Sequence, residues 1–234
     1  MRLTTVDDAE AVAAHAASVV AHLINEGNPA AAFHLALAGG TTPERCHELL
    51  APMVGDWSRV HLWLSDERAV APDDDDANFK MIKRSLLDRI DIPAANVHRV
   101  LGELGAEAAA DAYEHEIHQH VVGGPDGVPL LDVVMCGMGP DGHTCSLFPG
   151  HPEVSITDRL IAPVHDSPKP PPDRVTFTFP LLHAATRTLL LAAGEGKRDA
   201  LDRVRAGADP ATPASLLRLG ALEVVADRAA APDA

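Results

Sequence analysis

The sequence predicts a three-layer α/β fold in which helices cover both faces of an open, mostly parallel sheet. Short apolar runs alternate along the chain with segments of helical periodicity, which is the order expected of βαβ units. Several of these runs end directly at glycine, as buried strands do where they enter a loop. The 234 residues, 46% of them hydrophobic, suit one α/β domain, which we expect to span 1–234.

The first predicted elements are a helix, a strand and a second helix. Ala, Val, Leu and Ile recur at helical spacing over 7–25, and a Gly-Asn-Pro sequence stops that helix. The apolar run 33–38 is a predicted buried strand that ends at two glycines. Thr42 and Pro43 then suit the N-cap and first position of the next helix.

The remaining predicted strands are five further apolar runs. They comprise residues 60–64, 131–136, 175–179, 188–193 and 222–226. Four consecutive aspartates at 73–76 predict a solvated loop that caps the following helix at Asp76. The proline-rich run 167–172 predicts a surface crossing between strands rather than a linker between domains.

Charge and composition exclude several classes of partner. The net charge is −15 and Lys and Arg do not cluster, which argues against nucleic acid. No apolar stretch is long enough to cross a bilayer, and the first residues lack the apolar run of a secretory signal. The cysteines, Cys46, Cys136 and Cys145, show no metal-type spacing. We therefore expect a cytoplasmic protein, monomeric or a small homo-oligomer, with a small-molecule partner and neither a nucleic-acid nor a membrane partner.

Four loops follow predicted strands, and the carboxyl ends of parallel strands share one edge of a sheet. The first loop contains Gly39, Gly40, Thr41 and Thr42 and leads into a helix. Its glycines permit close backbone approach, and a helix N-terminus offers free N–H groups, so the loop suits a phosphate. A tight turn with a threonine cap is the alternative.

Charged residues mark the second and fourth loops. Asp66, Glu67 and Arg68 directly follow an apolar strand, where charges are costly unless they are paired or solvated in a cleft. An exposed turn is the alternative, and this motif alone slightly favours it. Lys197 ends a Gly-Glu-Gly-Lys motif before a predicted helix, which suits a phosphate partner. An ordinary surface lysine is the alternative there.

The third loop, residues 137–150, carries the candidate catalytic histidine. Its glycines match G-x-G-x-x-G, but the proline and aspartate in the turn argue against a dinucleotide site. Asp141 lies two residues before His143, in a loop too rich in glycine to belong to the core. Histidine titrates near neutrality and is the commonest general base, so His143 is the predicted base. A structural loop histidine is the alternative.

Other motifs fail their chemical tests. Ser146 does not stand in G-x-S-x-G, the pattern of a hydrolase nucleophile. The sequence His-Glu-Ile-His at 115–118 is one residue short of H-E-x-x-H, so a solvated helix face is expected rather than zinc. Other histidines show no constellation, namely His15, His22, His34 and His47. We therefore predict no metal site.

Taken in order, these motifs resemble the 6-phosphogluconolactonases, within the larger group that includes glucosamine-6-phosphate isomerases. The matching segments are 38–43, 65–68, 137–150, 174–178 and 194–197, and they span nearly the whole chain. Arg68 replaces the tyrosine of the isomerases' Asp-Glu-Tyr, and Ser-Leu-Phe-Pro replaces their Asn-Glu-Pro-type continuation, which favours the lactonase branch. Cys145 is a small departure, because alanine is common there.

The resemblance implies a Rossmann-like sheet and hydrolysis of 6-phospho-D-glucono-1,5-lactone to 6-phosphogluconate in the oxidative pentose phosphate pathway, without metal or cofactor. His143 would take a proton from water, Asp141 would orient the imidazole, and Arg68 would pair with phosphate or stabilise the oxyanion. The implied substrate-binding residues are Gly39, Gly40, Thr41, Thr42, Asp66, Glu67, Gly139, Arg174 and Lys197. A sugar-phosphate isomerase or deaminase of the same superfamily and a non-catalytic sugar-phosphate-binding regulator are the alternatives.

Overall fold

The computed structural model describes residues 1–231 of the chain. Its strands are β1 (Arg2–Val6), β2 (Phe33–Leu37), β3 (Val60–Leu64), β4 (Asp66–Arg68), β5 (Val133–Gly137), β6 (Ile161–Val164), β7 (Arg174–Phe177), β8 (Thr188–Ala192) and β9 (Leu222–Asp227). Its α-helices are α1 (Ala9–Glu26), α2 (Thr41–Leu50), α3 (Asn78–Ser85), α4 (Ala106–His120), α5 (Phe179–Ala184), α6 (Arg198–Ala206) and α7 (Pro213–Leu216). In the described part of the chain, no helix combines the length and apolarity needed to cross a membrane.

Six strands form one sheet in the order β1-β9-β8-β5-β2-β3, and every neighbouring pair is parallel. All residues of β2, β8 and β9 are buried, as expected of parallel strands covered by helices. Helices α1 and α2 pack against each other and against the sheet, while α4 packs against β6 and β7. The predicted α/β fold with a mostly parallel sheet is confirmed.

A second, three-stranded sheet corrects two sequence predictions. Its order is β4-β7-β6 and its pairs are antiparallel. Residues 66–68, predicted as a loop, form β4, because the chain leaves the parallel sheet after β3 and pairs with β7. The predicted strand 175–179 is β7 of this smaller sheet, and it ends at Phe177. Helix α5 begins at Phe179, where Pro180 in its first turn favours the start of a helix.

Several predicted boundaries also change. Helix α2 begins at Thr41, with Gly40 rather than Thr42 as its N-cap. Helix α3 is capped at Ala77, because Asp76 belongs to the preceding turn. The sequence analysis missed β1 and β6. Strand β1 lies at the sheet edge and is polar, and β6 has only four residues, one of them proline.

Candidate active site

Loops at the carboxyl edge of the parallel sheet enclose a cavity of about 520 Å³. The loops follow β2, β3, β5 and β8, the four strands that the sequence analysis singled out. Ten of the predicted site residues line this cavity: Gly39, Gly40, Thr41, Thr42, Asp66, Arg68, Gly139, His143, Arg174 and Lys197. Segments separated by more than 150 residues in sequence therefore meet at one place.

The loop after β5 is folded tightly around Gly139. The Gly139 amide donates to the His143 carbonyl oxygen at 3.0 Å, and the Gly142 amide donates to the Gly139 carbonyl oxygen at 3.0 Å. A Cβ atom at position 139 would overlap the imidazole of His143 and the carboxylate of Asp141. Glycine is therefore required at position 139 to let the backbone pass beneath the imidazole.

Asp141 holds the imidazole of His143 from one side. Asp141 Oδ1 lies 2.5 Å from His143 Nδ1, and the ring of Phe148 packs at 4.8 Å between centroids. The carboxylate makes Nδ1 the protonated nitrogen. Nε2 then carries the lone pair, and no hydrogen bond from residues 1–231 occupies it. His143 lines the cavity, and its Nε2 is free to accept a proton there.

Lys169 lies beside the same pair and was missed as a site residue. Its Nζ is 3.2 Å from His143 Nδ1 and 3.9 Å from Asp141 Oδ2. An Nδ1–H that donates to Asp141 has no lone pair for an ammonium, so Lys169 acts on the ring through its charge rather than through a hydrogen bond. His143 is thus in contact with a carboxylate and a cation, and of these three residues His143 and Lys169 line the cavity.

Burial lowers the pKa of His143 below its ordinary value, and the charge of Lys169 adds to this decrease. The carboxylates of Asp141 and Asp66 act in the opposite direction. Burial raises the pKa of Asp141, but its hydrogen bonds to His143 and the charges of His143 and Lys169 lower it overall. At neutral pH this arrangement favours a neutral imidazole beside an ionised carboxylate.

The N-terminus of α2 forms another part of the cavity wall. Gly40 has φ of 104°, a left-handed conformation that glycine adopts without strain, and its carbonyl accepts the first helical hydrogen bond. Thr41 and Thr42 are the first helical residues, whose amides have no partner within the helix. Gly39 packs so closely on Asn78 that a Cβ would overlap that amide. The loop presents backbone N–H groups and the positive end of a helix dipole to the cavity.

The two acidic residues of β4 have different surroundings. Asp66 lines the cavity and accepts a hydrogen bond from the Ser146 hydroxyl at 2.7 Å, which ties β4 to the loop of His143. Glu67 does not line the cavity. Its carboxylate accepts from the amides of Asn78 and Phe79 at 2.7 and 2.6 Å and so caps α3. Glu67 therefore supports the start of α3 beneath the cavity, and its role in substrate binding stays a prediction.

Arg174 and Arg68 brace neighbouring segments. Arg174 is 5% exposed and donates to the carbonyl oxygens of Lys169, Pro170 and Pro171, which fixes the loop carrying Lys169. Arg68 donates to the carbonyl oxygen of Asp76. Both side chains also line the cavity, so each combines a structural contact with a cationic surface.

Lys197 supplies a further cation at the end of β8. It closes a single 3₁₀ turn, Glu195–Lys197, and burial lowers its pKa, with the charge of Lys169 acting in the same direction. The Gly194 amide donates to the Asp227 carboxylate at 2.9 Å, which ties this turn to the end of β9. The cavity therefore has two lysines, and Lys169 is close enough to lower the pKa of Lys197.

Among the cavity residues with charged or amide side chains, sequence reasoning missed two, Lys169 and Asn78. Lys169 lies within the proline-rich run that was assigned to the surface, and a lone lysine among prolines just before Arg174 was the available signal. Asn78 begins α3 after the four aspartates and donates to the Asp66 carbonyl oxygen at 3.0 Å. No sequence pattern indicated that its amide would pack on Gly39.

Known proteins are similar to this chain in both sequence and fold. A probable chloroplastic 6-phosphogluconolactonase 3 of Oryza sativa is 40% identical over 181 residues, which cover 74% of this chain and 55% of that protein. The 6-phosphogluconolactonase of Rattus norvegicus is 38% identical over 230 residues, which cover 95% of this chain and 86% of the relative. The chain thus spans little more than half the length of the plant relative and most of the rat one.

A solved 6-phosphogluconolactonase of Trypanosoma brucei superposes with a TM-score of 0.88 at 25% identity, covering 99% of this chain and 98% of that one. The model of the family described as glucosamine-6-phosphate isomerases/6-phosphogluconolactonase matches residues 7–226. This match includes every cavity-lining residue. The chain therefore belongs to the glucosamine-6-phosphate isomerase/6-phosphogluconolactonase family.

Proposed function

We propose that the protein hydrolyses 6-phospho-D-glucono-1,5-lactone to 6-phosphogluconate. The observation that carries this proposal is a cavity lined by His143, whose imidazole is held by Asp141, and by four cationic side chains, namely Arg68, Lys169, Arg174 and Lys197. The substrate is a neutral ester ring joined to a phosphate, so it needs a base for water at one end and anion recognition at the other. The names of the related proteins support the same activity.

The phosphate is proposed to bind at the N-terminus of α2. The amides of Thr41 and Thr42 and the Gly39–Gly40 backbone lie at this end, and Lys197 lines the same cavity. A doubly charged phosphate gains charge-assisted hydrogen bonds there that the neutral sugar lacks. Phosphorylation of the substrate therefore determines its affinity and its orientation.

Hydrolysis is proposed to begin at His143. Nε2 removes a proton from water as the water oxygen attacks the lactone carbonyl carbon, and Asp141 stabilises the imidazolium that forms. The negative charge that develops on the carbonyl oxygen is stabilised by a neighbouring cation. Lys169 lines the cavity with its Nζ 3.2 Å from His143 Nδ1, so it is one candidate for this role. Arg68 also lines the cavity and can pair with either the oxyanion or the phosphate.

Collapse of the tetrahedral intermediate completes the reaction. The carbon–oxygen bond to the ring oxygen breaks, and the imidazolium returns its proton to that oxygen as it leaves. Atoms balance with one water consumed, and the chemistry calls for no metal or cofactor. We also propose a cytoplasmic location, which suits the three free thiols of Cys46, Cys136 and Cys145.

The direct test is the rate of hydrolysis of 6-phosphoglucono-δ-lactone, corrected for its spontaneous opening. We expect a large acceleration with this substrate and a much smaller one with unphosphorylated glucono-δ-lactone. Release of ammonia from glucosamine 6-phosphate, assayed in parallel, tests the isomerase or deaminase alternative. Ammonia release without lactone hydrolysis would replace the proposal, and binding of 6-phosphogluconate without either reaction would favour a regulator.

A further inference from the structure

A cluster of histidines lies at the opposite end of the strands from the cavity. His34 and His61 are the second residues of β2 and β3, and they are paired in register. His61 and Asp66 are five residues apart along extended chain, which places their Cα atoms about 16 Å apart at ~3.3 Å per residue. The cluster therefore occupies the amino edge of the sheet and takes no part in the proposed hydrolysis.

Three of these imidazoles converge on one point. His61, His98 and His120 each offer a ring nitrogen, and these nitrogens all lie within 4.8 Å of one another. His61 comes from β3, His98 from the segment that pairs with β3, and His120 from the last residue of α4. In residues 1–231 this is the one such group of three His, Cys, Asp or Glu ligands. None of its members lines the cavity.

The orientation of His98 is fixed for ligation. Its Nδ1 lies 2.7 Å from the Glu116 carboxylate, so Nδ1 carries the proton and Nε2 has the lone pair. The ring also stacks on Trp63, with centroids 3.8 Å apart and planes 7° apart. A carboxylate behind a histidine is the usual outer contact of a metal-binding imidazole, because it fixes the tautomer and raises the basicity of the ligand.

The distance between His61 and His98 fits a shared ion. His61 Nδ1 lies 3.0 Å from His98 Nε2, a hydrogen bond in which His61 Nδ1–H donates to the lone pair of His98. A shared cation takes the place of this proton, and His61 then carries its proton on Nε2. Two nitrogens on a tetrahedral zinc ion with bonds of ~2.0–2.1 Å lie about 3.3 Å apart. Only His120 must approach, by about 1.5 Å if it is the furthest ligand. That side chain is exposed at the end of a helix, where a rotamer change suffices.

We propose that His61, His98 and His120 form a binding site for a divalent first-row cation of the zinc class, with Glu116 as the positioning residue. Three neutral imidazole nitrogens suit Zn²⁺, Cu²⁺ or Ni²⁺ better than the oxygen-seeking Mg²⁺ or Ca²⁺. Exposure of His120 gives the ion a route from solvent. An ion there joins β3, the segment at His98 and the end of α4, so it stabilises the folded state without contacting the cavity.

The test is a titration of the full-length protein with Zn²⁺ after treatment with EDTA and buffer exchange. We expect one Zn²⁺ per chain, measured by competition with a chromophoric chelator, and a Tm that rises with zinc concentration. The fluorescence of Trp63, which stacks on His98, should change with the same midpoint. If the protein bound no Zn²⁺, or bound Zn²⁺ with no change in Tm, the proposal would be overturned.

Matched variants locate the ion. His120→Ala should weaken zinc binding at least tenfold, and Glu116→Gln by about 10–100-fold. His118→Ala is the control, because His118 is exposed on the same helix two residues away, and binding of zinc to exposed helix histidines is the competing explanation. Equal zinc affinity in wild type and His120→Ala, or a larger loss in His118→Ala, would place the metal on the surface and refute this site.

Discussion

Histidines lie at both edges of the parallel sheet, but the groups around them differ. At the carboxyl edge, His143 lies between the Asp141 carboxylate and the Lys169 ammonium. At the amino edge, His34 lies among three other imidazoles, with its ring centroid 5.0 Å from that of His61. His143 thus lies between groups of opposite charge, whereas His34 lies among other histidines.

The effect on pKa follows from these neighbours. Burial lowers the pKa of both His143 and His34. At His143, nearby carboxylates oppose this decrease, which keeps the ring able to accept a proton. At His34, the other imidazoles reinforce it, and the pKa falls to about 4. A carboxylate in contact thus raises the pKa of His143 against the effect of burial, whereas neighbouring imidazoles lower the pKa of His34 further.

The largest expected effect separates the two edges by catalysis. His143→Ala should lower kcat by about 10²–10⁴-fold, because the general base is lost. Affinity for 6-phosphogluconate should change much less, since the phosphate is held at α2 and Lys197. The control is His151→Ala, which removes a histidine just after the same loop that does not line the cavity. Near-normal kcat in a folded His143→Ala enzyme would refute the proposed base, leaving Asp66 and Asp141 as candidates.

A smaller loss is expected when the base is kept but displaced. Gly139→Ala puts a methyl group where the His143 ring and the Asp141 carboxylate lie, so the ring must move. A shift of about 1 Å in a catalytic group costs on the order of 10²-fold in rate. Gly196→Ala is the matched control, because a Cβ there meets nothing within 4 Å. Measured kcat values that agree for the two variants would mean that the position of the ring does not control the rate.

The binding half of the carboxyl edge should respond through KM. Lys197→Ala removes one charge-assisted hydrogen bond to phosphate, worth roughly 1.5–3 kcal/mol, so KM should rise about 10–100-fold with little change in kcat. Lys83→Ala, on exposed helix surface, provides the control. An unchanged KM for the phosphorylated lactone would remove Lys197 from the phosphate site.

Almost no catalytic effect is expected from the amino edge. Prolonged EDTA treatment and His120→Ala should each leave kcat within about twofold of wild type, because this edge lies about 16 Å along the strand from the cavity. The measurement is lactone hydrolysis before and after addition of Zn²⁺. Loss of turnover in EDTA and its recovery with Zn²⁺ or Mg²⁺ would show that the water is activated by a metal rather than by His143 alone.

The sequence was most informative where local chemistry and strand order coincide. Glycine after an apolar strand located the loops at Gly39 and Gly139, and the parallel order implied that they meet. Residues 66–68 could not be assigned in this way, because pairing with β7 is a contact across more than 100 residues. The contact of Glu67 with the start of α3 could not be predicted for the same reason, since it depends on that path of the chain.

The histidine cluster at the amino edge could not be predicted from the sequence. His34 was judged to lack a constellation, and the structure shows this to be wrong, because His61 lies beside it. The cluster draws one residue each from β2, β3, the segment at His98 and α4. No fixed spacing connects them, and only the register of β2 with β3 and the docking of α4 bring the rings together.

The central claim is that His143, tuned in opposite directions by Asp141 and Lys169, is the base. The most direct test is the pH dependence of kcat/KM, after subtraction of spontaneous lactone hydrolysis, in wild type and in Asp141→Asn and Lys169→Met. The neutral imidazole is the active form, so kcat/KM should fall as the pH drops through a pKa below the ordinary ~6.5.

The two variants should move that acid limb in opposite directions. Asp141 raises the pKa of His143, so Asp141→Asn should shift the limb to lower pH. Lys169 lowers it, so Lys169→Met should shift the limb to higher pH. The substrate phosphate also titrates near pH ~6, but it contributes equally to all three profiles. Opposite shifts are the predicted result, whereas acid limbs at the same pH in all three enzymes would contradict the account.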